Sequence, residues 1–208
     1  VIGVIVLLII LLTPKSEENH TAIYCIYNVD DSFNLLSPEF IGKSKFEIYV
    51  DDEKISDYSN YKVTKKGIHN VIIKLNDDIN MAKMFLATNL ISINMKTNKN
   101  YKILSMIRTF DDCWQLQNVT ISGFDTNEIS SISGLFSGTN ITSMSNIKFE
   151  GFSASNLEDI SDLFSYTALE KVDSLFFGEA PKIKNISRLF AHSTKLIEVD
   201  LNILKSYK

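Results

Sequence analysis

The stretch Ile129-Ser-Ser-Ile132-Ser-Gly-Leu135-Phe136 decides the fold, because the chain keeps returning to it. It comes back as Leu157-Glu-Asp-Ile160-Ser-Asp-Leu163-Phe164 and as Ile183-Lys-Asn-Ile186-Ser-Arg-Leu189-Phe190. Upstream it reads Ile103-Leu-Ser-Met106-Ile-Arg-Thr109-Phe110, and more loosely Ile79-Asn-Met81-Ala-Lys-Met84-Phe85. The closing Phe therefore stands at 85, 110, 136, 164 and 190, a period of 25 to 28 residues. A fixed period of that length marks a solenoid, whose units bury their apolar faces only against one another.

Each unit has two parts. The phrase ending in Phe sets apolar residues at i, i+3, i+6 and i+7, which predicts a two-turn helix with one buried face. A strand phrase follows, clearest in Leu116-Gln-Asn-Val119-Thr-Ile121-Ser-Gly-Phe124. Its counterparts start at Leu90, Ile141, Leu169 and Leu196, and their alternation predicts one face in and one face out. The expected result is a parallel sheet backed by short helices. The third unit carries about three extra residues between Met144 and Phe152, and the fourth sets polar Ser174 at an inward position. A bulge or distortion is expected in these two units.

The period is two from 22 to 75. Ala22–Val29, Lys45–Ile55 and Tyr61–Leu75 are rich in β-branched and aromatic residues, with turn signals at Asp51-Asp52 and Gly67. This predicts a small antiparallel β module of four or five strands, too short for an independent core and so packed on the repeats. Residues 13–21 read as a polar linker. Residues 1–12, VIGVIVLLIILL, carry no polar side chain. They are short of the about 20 residues a membrane helix needs. They read first as the C-terminal half of a transmembrane anchor, with a signal-peptide h-region or a buried core segment as alternatives. The expected class is thus α+β: a small antiparallel β module, then a solenoid of about five β-strand plus short-helix repeats over 76–208.

The composition narrows the chemistry. A net charge of −4 with interspersed acids and bases gives no basic stripe for nucleic acid. The histidines at 20, 69 and 192 share no metal-ligand spacing. The Asp pairs at 30–31, 51–52, 77–78 and 111–112 lack the alternating spacing of a calcium loop and read as turns and caps. Gly134-Leu-Phe-Ser137-Gly138 is not a nucleophile elbow. No catalytic residue, cofactor site or metal site is expected, and the chain reads as a non-enzyme. Cys113 follows Phe110 by three, where the other units place Thr88, Thr139, Thr167 and Ser193. That slot reads as a buried small-residue rung, with a disulfide to Cys25 as the alternative.

The pattern I-x-x-[MI]-x-x-[LM]-F followed by L-x-x-V-x-I-x-x-F-[DN]-T resembles the BspA-like leucine-rich repeats. Ile121-Ser-Gly-Phe124-Asp125-Thr126-Asn-Glu-Ile129-Ser-Ser-Ile132-Ser-Gly-Leu135-Phe136 is the stretch that carries the likeness best, and the likeness covers roughly 76–204. The resemblance implies a surface-displayed protein used for adhesion or recognition, and it carries over no catalytic residue.

Function then falls to the outward strand positions: Ser92, Asn94 and Lys96; Asn118, Thr120 and Ser122; Ser143 and Ser145; Lys171 and Asp173; Glu198, Asp200 and Asn202. They are expected to form an extended face for a protein or glycan partner, or else to be merely solvated. Trp114 reads as packing rather than a ligand platform. Asn19, Asn118, Asn140 and Asn185 head N-x-[S/T] sequons, compatible with a glycosylated ectodomain at the cell surface. The alternatives are a structural spacer or coat element that self-associates laterally, and the recognition region of a larger receptor or enzyme.

Overall fold

The computed structural model describes residues 21–29, 33–42, 46–58, 61–63, 65–200 and 202. The segment 1–12 and most of 13–21, Asn19 included, lie outside the described residues. No described helix is long and apolar enough to cross a membrane.

Six strands come first: β1 Ala22–Val29, β2 Phe33–Asn34, β3 Phe46–Val50, β4 Glu53–Ile55, β5 Lys62–Val63 and β6 Gly67–Leu75. The predicted Asp51-Asp52 turn joins β3 to β4. Both residues have positive φ, 48° and 71°, as a two-residue hairpin turn requires. Gly67 opens β6 rather than turning a hairpin, since β5 pairs with β2. The repeats supply β7 Ile79–Asn80, β8 Leu90–Lys96, β9 Ile103–Ser105, β10 Asn118–Ser122, β11 Ile147–Glu150, β12 Lys171–Val172 and β13 Glu198–Val199.

β8, β10 and β11 run parallel, coil upon coil, and β12 pairs parallel with β13. The β module does not stand apart. β1 pairs antiparallel with β8, giving one seven-stranded sheet in the order β11-β10-β8-β1-β6-β3-β4. Ile23, Cys25 and Tyr27 share a single core with Phe85, Phe110 and Phe136. The module also closes the first coil: Ser37 donates its N–H to the Met84 carbonyl at 2.9 Å, above buried Leu35 and Leu36. It acts as the N-terminal cap a solenoid needs.

The predicted short helices are absent, which corrects the α+β expectation. Among the described residues there is no α-helix, only a 3-10 turn at Met144–Asn146 and 3-10 backbone at Asn202. Ile129, Ile132, Leu135 and Phe136 are all buried, as the periodicity requires. Yet the backbone around each Phe is a ribbon of overlapping β-turns. Positive φ recurs two residues before and two after each ring: Lys83 and Ala87, Arg108 and Asp112, Gly134 and Gly138, Asp162 and Tyr166, Arg188 and His192. Two left-handed residues in five cannot belong to an α-helix.

In the first coil, Met84 and Thr88 donate to carbonyls three residues back, while Lys83, Phe85 and Ala87 donate to Ile107, Thr109 and Asp111 of the next coil. The same alternation runs from the second coil to the third and from the fourth to the fifth. Eight of the ten left-handed positions are not glycine, at about 1–2 kcal/mol each. The inter-coil hydrogen bonds and the packing of the buried rings offset that strain. The five Phe rings stack in one column, with centroids 5.8, 5.7, 5.8 and 6.0 Å apart.

Two side-chain ladders fix the ribbon ends. Five residues before each Phe stand Asn80, Ser105, Ser131, Asp159 and Asn185, each accepting the N–H two residues on. Three residues after stand Thr88, Cys113, Thr139, Thr167 and Ser193, all buried. Thr88, Thr139 and Thr167 donate to the Phe carbonyl of their own coil at 2.8 to 3.0 Å.

The expected distortion falls in the third and fourth coils. The three extra residues become the 3-10 turn, capped by Ser143, and push the strand on to Ile147–Glu150. The long sheet stops at β11, and β12 starts a separate ladder. Rings bridge the break: Phe149 and Phe176 stack at 4.4 Å, both edge-on to Phe136. Ser174 is exposed rather than inward, because Leu175 takes the buried place beside it.

Candidate functional site

The sheet gives the molecule one broad outer face. Inward residues alternate along every strand, so the outward ones align across it by register. One row runs Tyr49, Ile72, Tyr24, Asn94, Thr120, Lys148 from β3 to β11. A parallel row runs Glu47, Lys74, Ala22, Lys96, Ser122, Glu150. At about 4.8 Å between strands, each row spans roughly 24 Å.

Of the outward positions read from the sequence, Ser92, Asn94, Lys96, Asn118, Thr120 and Ser122 do share this face, although Ser92 is buried among its neighbours. Ser143 and Ser145 do not belong to it. They lie on the 3-10 turn, bonded to each other at 2.8 Å, and Lys148 and Glu150 hold the strand positions instead. The shift comes from the three-residue insertion, which alternation alone cannot register. Lys171 and Glu198 lie on the separate β12–β13 ladder and are tied by an ion pair of 2.9 Å. Asp173 and Asp200 are exposed just beyond these strands, and Asp200 Oδ1 accepts the N–H of exposed Asn202.

Several polar residues are rungs between coils rather than open ligands. Asn146 donates to Asn118 Oδ1 at 2.9 Å. Arg188 grips Asp162 through Nε and Nη2 at 2.8 and 2.7 Å, which holds the Asp162 carboxyl below its ordinary range. Among the sequons, Asn140 is exposed, while Asn185 is a turn-capping rung. Trp114, expected to pack, is 60% exposed.

The β module contributes a share of this face that the repeat pattern does not single out. Tyr24, Ile26, Ile68, Ile72 and Tyr49 are outward by parity on β1, β6 and β3, interspersed with polar Asn28, Asn70, Lys74 and Glu47, and Ile26 is itself buried. On β8, β10 and β11 the outward residues are all polar. The signal was present in Ala22–Val29, where Tyr24 and Ile26 alternate with Ile23, Cys25 and Tyr27. Only strand order shows that they adjoin Asn94.

Cys25 and Cys113 are free thiols, both buried. Cys113 donates through Sγ to the Phe85 carbonyl at 2.8 Å. Burial is the main cause that pushes its thiol up to about 12, and it raises Cys25 as well. Since the thiolate is the reactive form, iodoacetamide at pH 8 should leave both unmodified in the folded chain and label both in denaturant. Rapid labelling of the native protein, read by intact mass, would refute their placement.

A groove of about 450 Å³ lies between the capping segment and the first turns, lined by Asn34, Ser37, Glu39, Ala87, Arg108 and Asp112. Its charges are largely internal: Glu39 pairs with Lys83 and Arg108 with Asp111. Among the described residues no three of His, Cys, Asp and Glu are placed to hold a metal ion. No protein-family model matches the chain, and neither a curated protein nor a solved structure matches it.

Proposed function

We propose that this chain is a non-enzymatic recognition module displayed at a cell surface, binding a protein or glycan partner across the outer face of its sheet. The observation that carries the reading is the continuity of that face over seven strands, from the capping module into the stacked coils. Solenoids use extended surfaces of this kind for binding, because each added coil lengthens the surface without changing the core. The apolar stretch 1–12 and the resemblance to BspA-like repeats support the location and the adhesive role.

Protease treatment of intact cells should release the described region into the medium. Its retention by cells that stay intact would sink the surface location. Substituting Asn94→Asp together with Thr120→Asp should abolish attachment to the partner surface without altering thermal unfolding. Unchanged attachment would remove this face from the role.

A second reading, a structural coat or spacer, draws on the inter-coil ion pairs Lys102–Glu128, Lys171–Glu198, Lys184–Glu158 and Arg188–Asp162. These tie outward charges to cohesion. Under that reading, charge reversal at Asp173 and Asp200 leaves the role intact.

A further inference from the structure

We propose that the turn ribbon of the second to fourth coils holds a site for an arginine side chain of a partner protein, with the Asp112 carboxylate pairing its guanidinium and the Tyr166 ring stacking on it. The site lies off the outer face of the sheet and does not rest on the binding role given to that face.

The first observation is an aromatic face left open. The residues two after each Phe form a column along the coils: Ala87, Asp112, Gly138, Tyr166 and His192, all at positive φ. Each is followed by a buried rung of the Thr/Cys/Ser ladder, which leaves the column itself on the outside. Tyr166 and His192 stack with ring centroids 4.5 Å apart and 17° between their planes. That stack covers Tyr166 from the side of the fifth coil. On the side of the third coil the column holds Gly138, which has no side chain to cover the ring, and Tyr166 is 61% exposed. With coils about 4.8 Å apart, a flat group stacked on this face would lie at the level of the third coil.

The second observation is a carboxylate at that same level. A Cβ on Gly138 would lie 2.5 Å from Asp112 Oδ1, so the carboxylate of the second coil leans over the third. The acids around it are committed, Glu39 to Lys83, Asp111 to Arg108 and Asp162 to Arg188. Asp112 itself has no hydrogen-bond or ion-pair partner among the described residues. Burial, and then the Asp111 carboxylate beside it, push the Asp112 carboxyl up, which a cation at this place would relieve. A guanidinium is planar and always charged, so it can lay its face on the Tyr166 ring and fork its edge N–H groups onto the carboxylate at once. A lysine ammonium is a point charge and does not combine the two contacts. Both arginines of this chain, Arg108 and Arg188, already pair with Asp111 and Asp162, so the arginine comes from another protein and not from a second copy.

Trp114, the chain's single tryptophan, stands two residues beyond Asp112 and is 60% exposed, at the tip of a turn closed by the Leu116 N–H on the Cys113 carbonyl at 2.8 Å. Its fluorescence therefore reports on this corner. The test titrates the full chain with a capped Gly-Arg-Gly peptide, with Gly-Lys-Gly and Gly-citrulline-Gly as comparison arms, read by calorimetry and by Trp114 emission. The arginine peptide should bind saturably, shift the emission and weaken as salt rises. The lysine and citrulline peptides should bind about tenfold more weakly or worse. Asp112→Asn and Tyr166→Ala should each weaken the arginine peptide about tenfold or more, the scale of losing one hot spot. Asp173→Asn, at an exposed acid beyond β12, leaves binding unchanged. Asp112 and Tyr166 are exposed and Ala87 already fills the same slot in the first coil, so thermal unfolding should stay close to that of the parent chain. Tyr166→Asn, a residue that accepts positive φ, serves if the alanine variant unfolds.

No saturable binding of the arginine peptide overturns the proposal. So does equal binding of the lysine peptide, which describes a lone carboxylate, and so does an affinity that survives Asp112→Asn or the loss of Tyr166. Asn94→Asp with Thr120→Asp leaves this corner untouched, so failure here and failure of the sheet face are read separately.

Discussion

Replacing Phe136 by alanine should lower the free energy of unfolding by about 3–5 kcal/mol, the range for emptying a large buried aromatic site. Phe136 is fully buried at the middle of the ring column, stacked on Phe110 at 5.7 Å and on Phe164 at 5.8 Å. It also meets Phe149 and Phe176 edge-on, at 6.3 and 5.9 Å. Deleting the ring removes two stacks and both edge contacts at the point where the long sheet has ended and β12 has not yet begun. Aromatic contacts across that break do what strand pairing does elsewhere, at about 0.5–1.5 kcal/mol per pair beyond area burial. The comparison is Phe190→Ala. That ring is only partly buried and stacks on Phe164 alone, so its loss should cost clearly less. Urea unfolding of both variants is the measurement. Equal losses, or a loss below about 1 kcal/mol at Phe136, would show that the column does not bind the coils together.

The second large effect is expected at Gly123, where β10 ends. Its φ is +81°, and a Cβ there would lie 2.1 Å from the Thr97 carbonyl oxygen and 3.1 Å from its carbon. Both contacts are backbone, so no side chain can swing away. Thr97 is also held, by its N–H to the Ser122 carbonyl and by Oγ1 to Thr21 at 2.6 Å. Gly123→Ala should therefore combine left-handed strain of about 1–2 kcal/mol with overpacking of about 1–3 kcal/mol. Gly151→Ala isolates the first part. Its φ is +79° and nothing lies within 4 Å of the added carbon, so it should cost only the strain. If the two alanine variants unfold at the same urea concentration, β8 and β10 do not approach each other closely at this corner.

These two sites show how differently parts of the fold could be read from the chain. The Phe column was legible in full, because burial leaves a periodic trace and all five rings stand in the repeated phrase. The Thr/Cys/Ser ladder was legible for the same reason, and the structure makes Cys113 one of its rungs. The ribbon's conformation was not. Apolar spacing of i, i+3, i+6, i+7 is produced by a helix and equally by three overlapping turns that return the chain to the same side. Gly134 and Gly138 marked the left-handed slots, but only in one coil. The other four place Lys, Ala, Arg, Asp, Tyr and His there, and of these only Asp and His have any intrinsic leaning toward positive φ. What sends them is the neighbouring coil, whose carbonyls accept the N–H groups that a helix would have used internally.

The candidate face divides in the same way. Its solenoid half followed from alternation, except where the three-residue insertion shifted the frame and moved Ser143 and Ser145 off the strand. Its module half, with Tyr24, Ile72 and Tyr49, was visible residue by residue but had no address, because β1 reaches β8 across about 65 residues of sequence.

By itself, then, the sequence determined the period, the number of coils, the inward residues apart from Ser174, and the weak place in the third and fourth coils. All of these depend on local pattern repeated at fixed spacing. Tertiary structure alone decided the turn ribbon, the fusion of the module and coils into one sheet, and the joining of the module's part of the outer face to the solenoid's. Each depends on hydrogen bonds between backbone segments distant in sequence, and backbone groups are the same in every residue, so their pairing leaves no mark in the order of side chains.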